Sequence, residues 1–185
     1  MRVNPKTLVL LSLMAAISVG LVYLIHFPIF APIPDLEYDP ADILIVFSGL
    51  IFGPIAGLML TAVVCFVQAM TVSAKAGIAG FIMHFIATGS MVLVASTVHI
   101  KLRKITGVAI SLFLGATTMV IVMIPLNMIV TPAFYGVPLQ VIKNMMIPYI
   151  IPFNVIKAFT NCTIAFFLYI AITKRAQTLL DSFKS

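Results

Sequence analysis

From Ile147 to Ile170 the chain reads IPYIIPFNVIKAFTNCTIAFFLYI, an apolar run long enough to cross a bilayer that nevertheless holds Asn154, Lys157 and Asn161. The three fall at i, i+3 and i+7, so on an α-helix they share one face while the other faces stay almost wholly apolar. An ammonium group inside a membrane span costs about 3 kcal/mol on insertion scales, so Lys157 has to face protein, water or a ligand and not lipid. Any fold of this chain must turn that face inward, and Lys157 is a functional candidate by default.

The rest of the sequence is of the same kind. Of 185 residues, 62% are hydrophobic and 9% charged, with a mean hydropathy of +1.21, whereas a soluble domain carries roughly a quarter charged residues. At about 20 residues per helical span, the length accommodates six spans with short connections and leaves no room for a soluble catalytic domain. The net charge of +6 does not indicate nucleic acid, because the basic residues sit at the ends of apolar runs, as topology signals do. Cys65 and Cys162 lie inside apolar spans, where a free cysteine acts as a small hydrophobe; neither a disulfide nor a metal site is expected. Arg2 and Lys6 precede an apolar run, as in a signal peptide, but the run continues from Thr7 to about Ile25 and reads as a first transmembrane helix.

The expected fold is an all-α membrane protein, one integral membrane domain over 1–185, with a bundle of six transmembrane helices at about 7–25, 41–52, 55–72, 78–100, 107–130 and 147–173. Outer loops are expected at 26–40 and 131–146. Helix 1 carries Ser12, Ala16 and Gly20 at four-residue spacing, a stripe of small residues that lets another helix approach closely, in a partner subunit or in the same chain. The segment HFPIFAPIPDLEYDP (26–40), with its prolines and acids, reads as an exposed loop or lid. Gly53-Pro54 separates a short helix 2 from helix 3. With six spans, Arg2, Lys6, Lys101, Arg103, Lys104, Lys174, Arg175 and Lys184 fall on one side, and Lys75 and Lys143 on the other. The positive-inside bias then places both termini in the cytoplasm and both long loops, with Asp35, Glu37 and Asp39, outside.

At about 1.5 Å per residue, this topology puts Gln68, His84, Asn127, Asn154 and Lys157 in the outer half of the bilayer, and Asp42 at the outer start of helix 2. The inner half is almost purely apolar. That asymmetry predicts a pocket open to the exterior and argues against a pore, which needs polar lining at every depth. Amide groups pair donors with acceptors and suit an uncharged, hydrogen-bonding molecule. Phe47, Phe81, Phe85, Met123 and Phe153 offer surfaces for a ring system. Structural readings stand beside these: Asn127, Asn161, His84 and Gln68 serve equally as helix-to-helix bonds, and Lys157 as an ion pair with Asp42 or an outer-loop acid. One buried lysine is poor provision for a phosphate.

The sequence contains no GxxxxGK[ST], HExxH, Ser/His/Asp set or Cys/His cluster, so an enzyme built on His84 and Lys157 would lack a nucleophile or metal, and no ATP binds through a P-loop. No internal repeat marks it as a self-sufficient secondary transporter. If the protein moves a solute, its energy comes from elsewhere.

The segments LEYDPADILIVFSGLIFGPIAGL (36–58), AGFIMHFIATGSMVLVAS (79–96), MIPLNMIVTPAFYGVP (123–138) and IIPFNVIKAFTNC (150–162) resemble, in this order and over nearly the whole chain, the substrate-binding S component of energy-coupling factor (ECF) transporters, specifically the riboflavin one. The resemblance implies a six-helix bundle that captures the vitamin near the extracellular side under the helix 1–2 loop. It also implies association with a transmembrane coupling protein and two ATP-binding-cassette ATPases, with no cofactor of its own. Asn154 and Lys157 match the riboflavin-binding segment of helix 6, and Asn127 that of helix 5; His84, Gln68, Tyr38 and Phe85 complete the expected substrate-binding set. The small-residue row Ser12, Ala15, Ala16 and Gly20 matches in part the family's alanine motif for the coupling protein. An S component for another vitamin or flavin-like compound is the alternative.

Overall fold

A computed structural model describes residues 5–33, 36–102 and 104–182; Arg2, Asp35, Arg103 and Lys184 lie outside the described residues. The elements run α1 (Pro5–Leu24), β1 (Phe27–Pro28), β2 (Glu37–Tyr38), α2 (Ala41–Phe52), α3 (Pro54–Met70), α4 (Gly77–Leu102), α5 (Ile105–Tyr135), α6 (Leu139–Met145), a π-helical turn (Met146–Ile150) and α7 (Ile151–Ser182). Among the described residues, four stretches are long and apolar enough to cross a membrane: Pro5–Leu24, Gly77–Leu102, Ile105–Tyr135 and Leu139–Arg175. α2 and α3 are shorter, and Gly53 divides them at φ 93°, a backbone geometry that excludes most side chains. Pro54 then opens α3, where its missing N–H costs nothing.

The core is one apolar cluster drawn from α1 to α5 and α7, including Leu11, Ile45, Val64, Met91, Val92, Leu112, Ala158 and Ala165. α4 and α5 form the most extensive helix pair. Gly115 permits their close approach, since a Cβ there would lie 2.8 Å from the Met91 carbonyl oxygen and 2.9 Å from the Ala95 Cβ. α2 packs on α1, α3, α4 and α7, so its N-terminus opens among four helices.

One expected boundary is corrected. The segment 131–146 is not an open loop: α5 continues through Pro125 and Pro132 to Tyr135, and α6 starts at Leu139. In a membrane setting a proline removes one backbone bond, but unwinding would strand many more without water, so the helix persists. α5 stops where Gly136 takes the left-handed conformation (φ 64°) and its N–H bonds the Pro132 carbonyl. Helical structure resumes because Ile142, Met146 and Ile150 recur at four-residue spacing and form a small second core with Ile124, Met128, Val137, Met145 and Ile151. The π turn carries Pro148, and Pro152 follows it; the Ile151 N–H reaches back to the Met146 carbonyl, the wider i→i+5 bond. This irregular turn aims the first residues of α7, which carry the site.

Candidate functional site

The polar face of α7 meets the 26–40 segment. β1 and β2 pair antiparallel, with Phe27 opposite Tyr38 and Pro28 opposite Glu37, and the Phe27 and Tyr38 rings lie 5.5 Å apart. Farther along the same segment, Phe30 meets Tyr149 of the π turn edge-on at 5.6 Å. This hairpin delivers Asp39 to Lys157, whose Nζ donates to Asp39 Oδ2 at 2.5 Å. Asn161, one turn on, donates from Nδ2 to the Asp39 backbone carbonyl (3.0 Å) and accepts from the Tyr38 hydroxyl at Oδ1 (2.7 Å). The other Asp39 carboxylate oxygen accepts from the Ala41 N–H at 3.1 Å, tying the hairpin to the start of α2.

Burial first, and then the neighbouring Asp39 carboxylate, push the Tyr38 phenol above its ordinary range, so it remains a donor at neutral pH. Tyr38→Phe should leave Asn161 Oδ1 without that donor, at a cost of about 1–2 kcal/mol. The expected result is amide exchange roughly tenfold faster over 27–41 by mass spectrometry, with helix protection unchanged. Wild-type exchange in the variant would show that this bond does not hold the hairpin.

A second acid lies deeper. Asp42 is fully buried at the first turn of α2; its Oδ1 accepts from Thr88 Oγ1 (2.9 Å) and pairs with His84 Nε2 (3.1 Å), both on α4. Asp42 and Lys157 lie within electrostatic reach of each other, as do His84 and Cys65 of α3. Among the described residues, the buried side-chain atoms without a hydrogen-bond partner include three on residues of the expected site or its neighbours: Asp42 Oδ2, Asn154 Oδ1 and, at the end of α3, Gln68 Nε2. A buried polar atom without a hydrogen bond is costly, so these atoms are places where a hydrogen-bonding guest is favoured.

The structure thus joins Lys157 and Tyr38 through Asp39 and Asn161, sets His84 on Asp42 beside them, and buries Asn154 one turn before Lys157 on the same helix. Asn154 Nδ2 and Asn127 Nδ2 each donate to a carbonyl one turn back, those of Ile150 and Met123. Gln68 is buried at the end of α3. Phe85 is half-buried and stacks on Phe81 at 5.8 Å with the planes 9° apart. The polar cluster is not an open pocket: Asp39 occupies the Lys157 ammonium, and Lys157, Asn154 and Asn161 are buried. Apolar grooves lie elsewhere, one of about 230 Å³ between α5 and α7 lined by Phe113, Phe159 and Phe166 among others, and one of about 80 Å³ between α1 and α3. Sequence reasoning offered Asp42 or an outer-loop acid for Lys157; the partner is Asp39. It missed Thr88, whose only signal was a hydroxyl one turn after His84.

On α1, Leu11, Ser18 and Val22 turn inward, while Ser12 and Ala16 are exposed and Gly20 has open space where a Cβ would stand. Ala15 is half-buried and shares the α1–α3 groove with Ser12, Met59 and Val63.

Against this geometry, the family model "ECF transporter, substrate-specific component" matches residues 6–172. The chain belongs to the substrate-specific components of ECF transporters. Its family is therefore one of membrane transporter subunits and not of enzymes. The riboflavin transporter FmnP of Bacillus subtilis (strain 168) is 30% identical over 176 residues, which cover 90% of this chain and 92% of that protein. A solved S component of a bacterial ECF transporter superposes with a TM-score of 0.77 at 26% identity, covering 95% of this chain and 97% of the other.

Proposed function

We propose that the protein is the riboflavin-capturing subunit of an ECF-type vitamin transporter. The observation that carries this reading is the likeness, over nine-tenths of the chain, to a riboflavin transporter, joined to a buried lysine on a membrane-length helix that the 26–40 hairpin covers. Lys157, Asn154 and Asn127 supply hydrogen bonds to the polar edge of the isoalloxazine or to the ribityl hydroxyls, with Gln68, His84 and Tyr38 beside them; Phe85 and its neighbours pack on the ring. The 26–40 hairpin acts as the lid. Six spans, the two shorter formed by α2 and α3, place both termini in the cytoplasm and the cluster in the outer half of the membrane, in keeping with the basic residues at the opposite end.

A coupling protein and two ATP-binding-cassette ATPases would supply the energy, and the row Ser12, Ala15, Ala16 and Gly20 would meet the coupling protein through close helix packing. Titration of ligand-free, detergent-purified protein with riboflavin tests the assignment. Saturable quenching of flavin fluorescence at about one ligand per chain is expected. No quenching by a folded sample would remove riboflavin and direct the search to other vitamins.

A further inference from the structure

The cluster under the hairpin holds four ionisable side chains in two hydrogen-bonded pairs, Lys157 with Asp39 and His84 with Asp42, with Lys157 within electrostatic reach of Asp42. Lys157, the one fixed cation among them, is already bonded by the Asp39 carboxylate at 2.5 Å. The second carboxylate, Asp42, is fully buried. With His84 neutral the four groups sum to one negative charge, and with His84 protonated they sum to zero. Neither state offers the net positive charge that a phosphate needs where water is excluded.

The unpartnered atoms point the same way. Two of the three are acceptors, Asp42 Oδ2 and Asn154 Oδ1, and the third, Gln68 Nε2, is a donor. A sugar-alcohol chain brings hydroxyl donors that satisfy both acceptors. The phosphate ester keeps the inner hydroxyls but exchanges the terminal donor for acceptor oxygens and a charge of about −1.5 to −2, which sets a buried carboxylate oxygen against like charge.

We propose that Asp39 and Asp42 are specificity determinants, which make the site select a flavin with an uncharged polyol side chain over its phosphate ester. This rests on the flavin reading above and deepens it. Asp39 acts by neutralising Lys157; Asp42 acts by presenting a buried anion with one free acceptor oxygen. Each effect is an asymmetry between two ligands that differ only in the phosphate, so general weakening of the site does not imitate it.

The test is the ratio of dissociation constants for riboflavin 5′-phosphate and riboflavin, measured by flavin fluorescence quenching at neutral pH on the full chain and on Asp39→Asn and Asp42→Asn. The wild-type ratio should be at least about tenfold, and each variant should compress it by roughly fivefold or more, because like-charge opposition is removed in a low-dielectric site. Asp39 lies in the hairpin outside the helical core, so its variant decides the matter even if Asp42→Asn fails to fold. A wild-type ratio near one would overturn the inference, as would an unchanged ratio in variants that bind riboflavin. If folded wild-type protein binds neither ligand, the flavin reading itself fails and takes the inference with it.

Discussion

Lys157→Ala lowers riboflavin affinity by about 30- to 1,000-fold, equivalent to about 2–4 kcal/mol, when titrated beside the wild type. The ammonium carries three N–H donors and its bond to Asp39 Oδ2 uses one, so a ligand acceptor adds to that bond without displacing it, and the buried position of Lys157 (7% exposed) strengthens the added bond. The alanine variant also unties the hairpin, leaving Asp39 bonded through the Ala41 N–H and, by its carbonyl, through Asn161. Those bonds and the helical core keep the chain folded, while amide exchange over the hairpin should quicken at least as much as in Tyr38→Phe, so the affinity loss is read on folded protein. Lys157→Met separates the two contributions: it keeps the apolar stem and removes the charge, and it should lose nearly as much affinity as alanine. Wild-type affinity in both folded variants would take Lys157 out of the site.

Why Lys157 was legible in the sequence while its partner was narrowed only to Asp42 or an outer-loop acid follows from what each residue announces. A cation in an apolar run is anomalous at its own position, and the period of a helix places Asn154 and Asn161 beside it without any tertiary information. Asp39 is an ordinary loop acid 118 residues away in sequence, and Asp42, three residues on, is chemically identical. What separates them is the start of α2 at Ala41: the helix turns Asp42 toward His84 and Thr88 and leaves Asp39 at the hinge, within reach of α7. The same limit explains α6. Pro132, Gly136 and Pro138 carry strong local breaker signals, and these outweighed the apolar spacing of Ile142, Met146 and Ile150, whose meaning appears only once α5 extends far enough to offer Ile124 and Met128 as packing partners. The π turn is likewise a consequence of where Pro148 and Pro152 fall in a continuous helix, and no residue type signals it alone.

Gly20→Leu and Ala16→Leu abolish co-purification with the coupling protein and riboflavin uptake into cells, yet leave riboflavin affinity of the isolated chain within about twofold. The reasoning starts from which side of α1 the chain itself uses. Leu11, Ser18 and Val22 are buried against the bundle, whereas Ala16 is exposed and a Cβ at position 20 meets nothing within 4 Å. A leucine at either position therefore costs the isolated fold little. In a partner complex the same row has to sit at close helix-to-helix distance, which small residues permit and an isobutyl group blocks, because the contact relies on packing between backbones with no hydrophobic gain over lipid. The polar cluster is built from the hairpin, α2, α4 and α7, with none of its hydrogen bonds made by the α1 row, so binding and coupling should separate. Leu11→Ala is the control: it opens a cavity on the inward face, and it should lower stability by about 2–4 kcal/mol without selective loss of partner association. If Gly20→Leu and Ala16→Leu instead keep full uptake, another face of the bundle carries the coupling contact, and the exposed row of α1 meets only lipid.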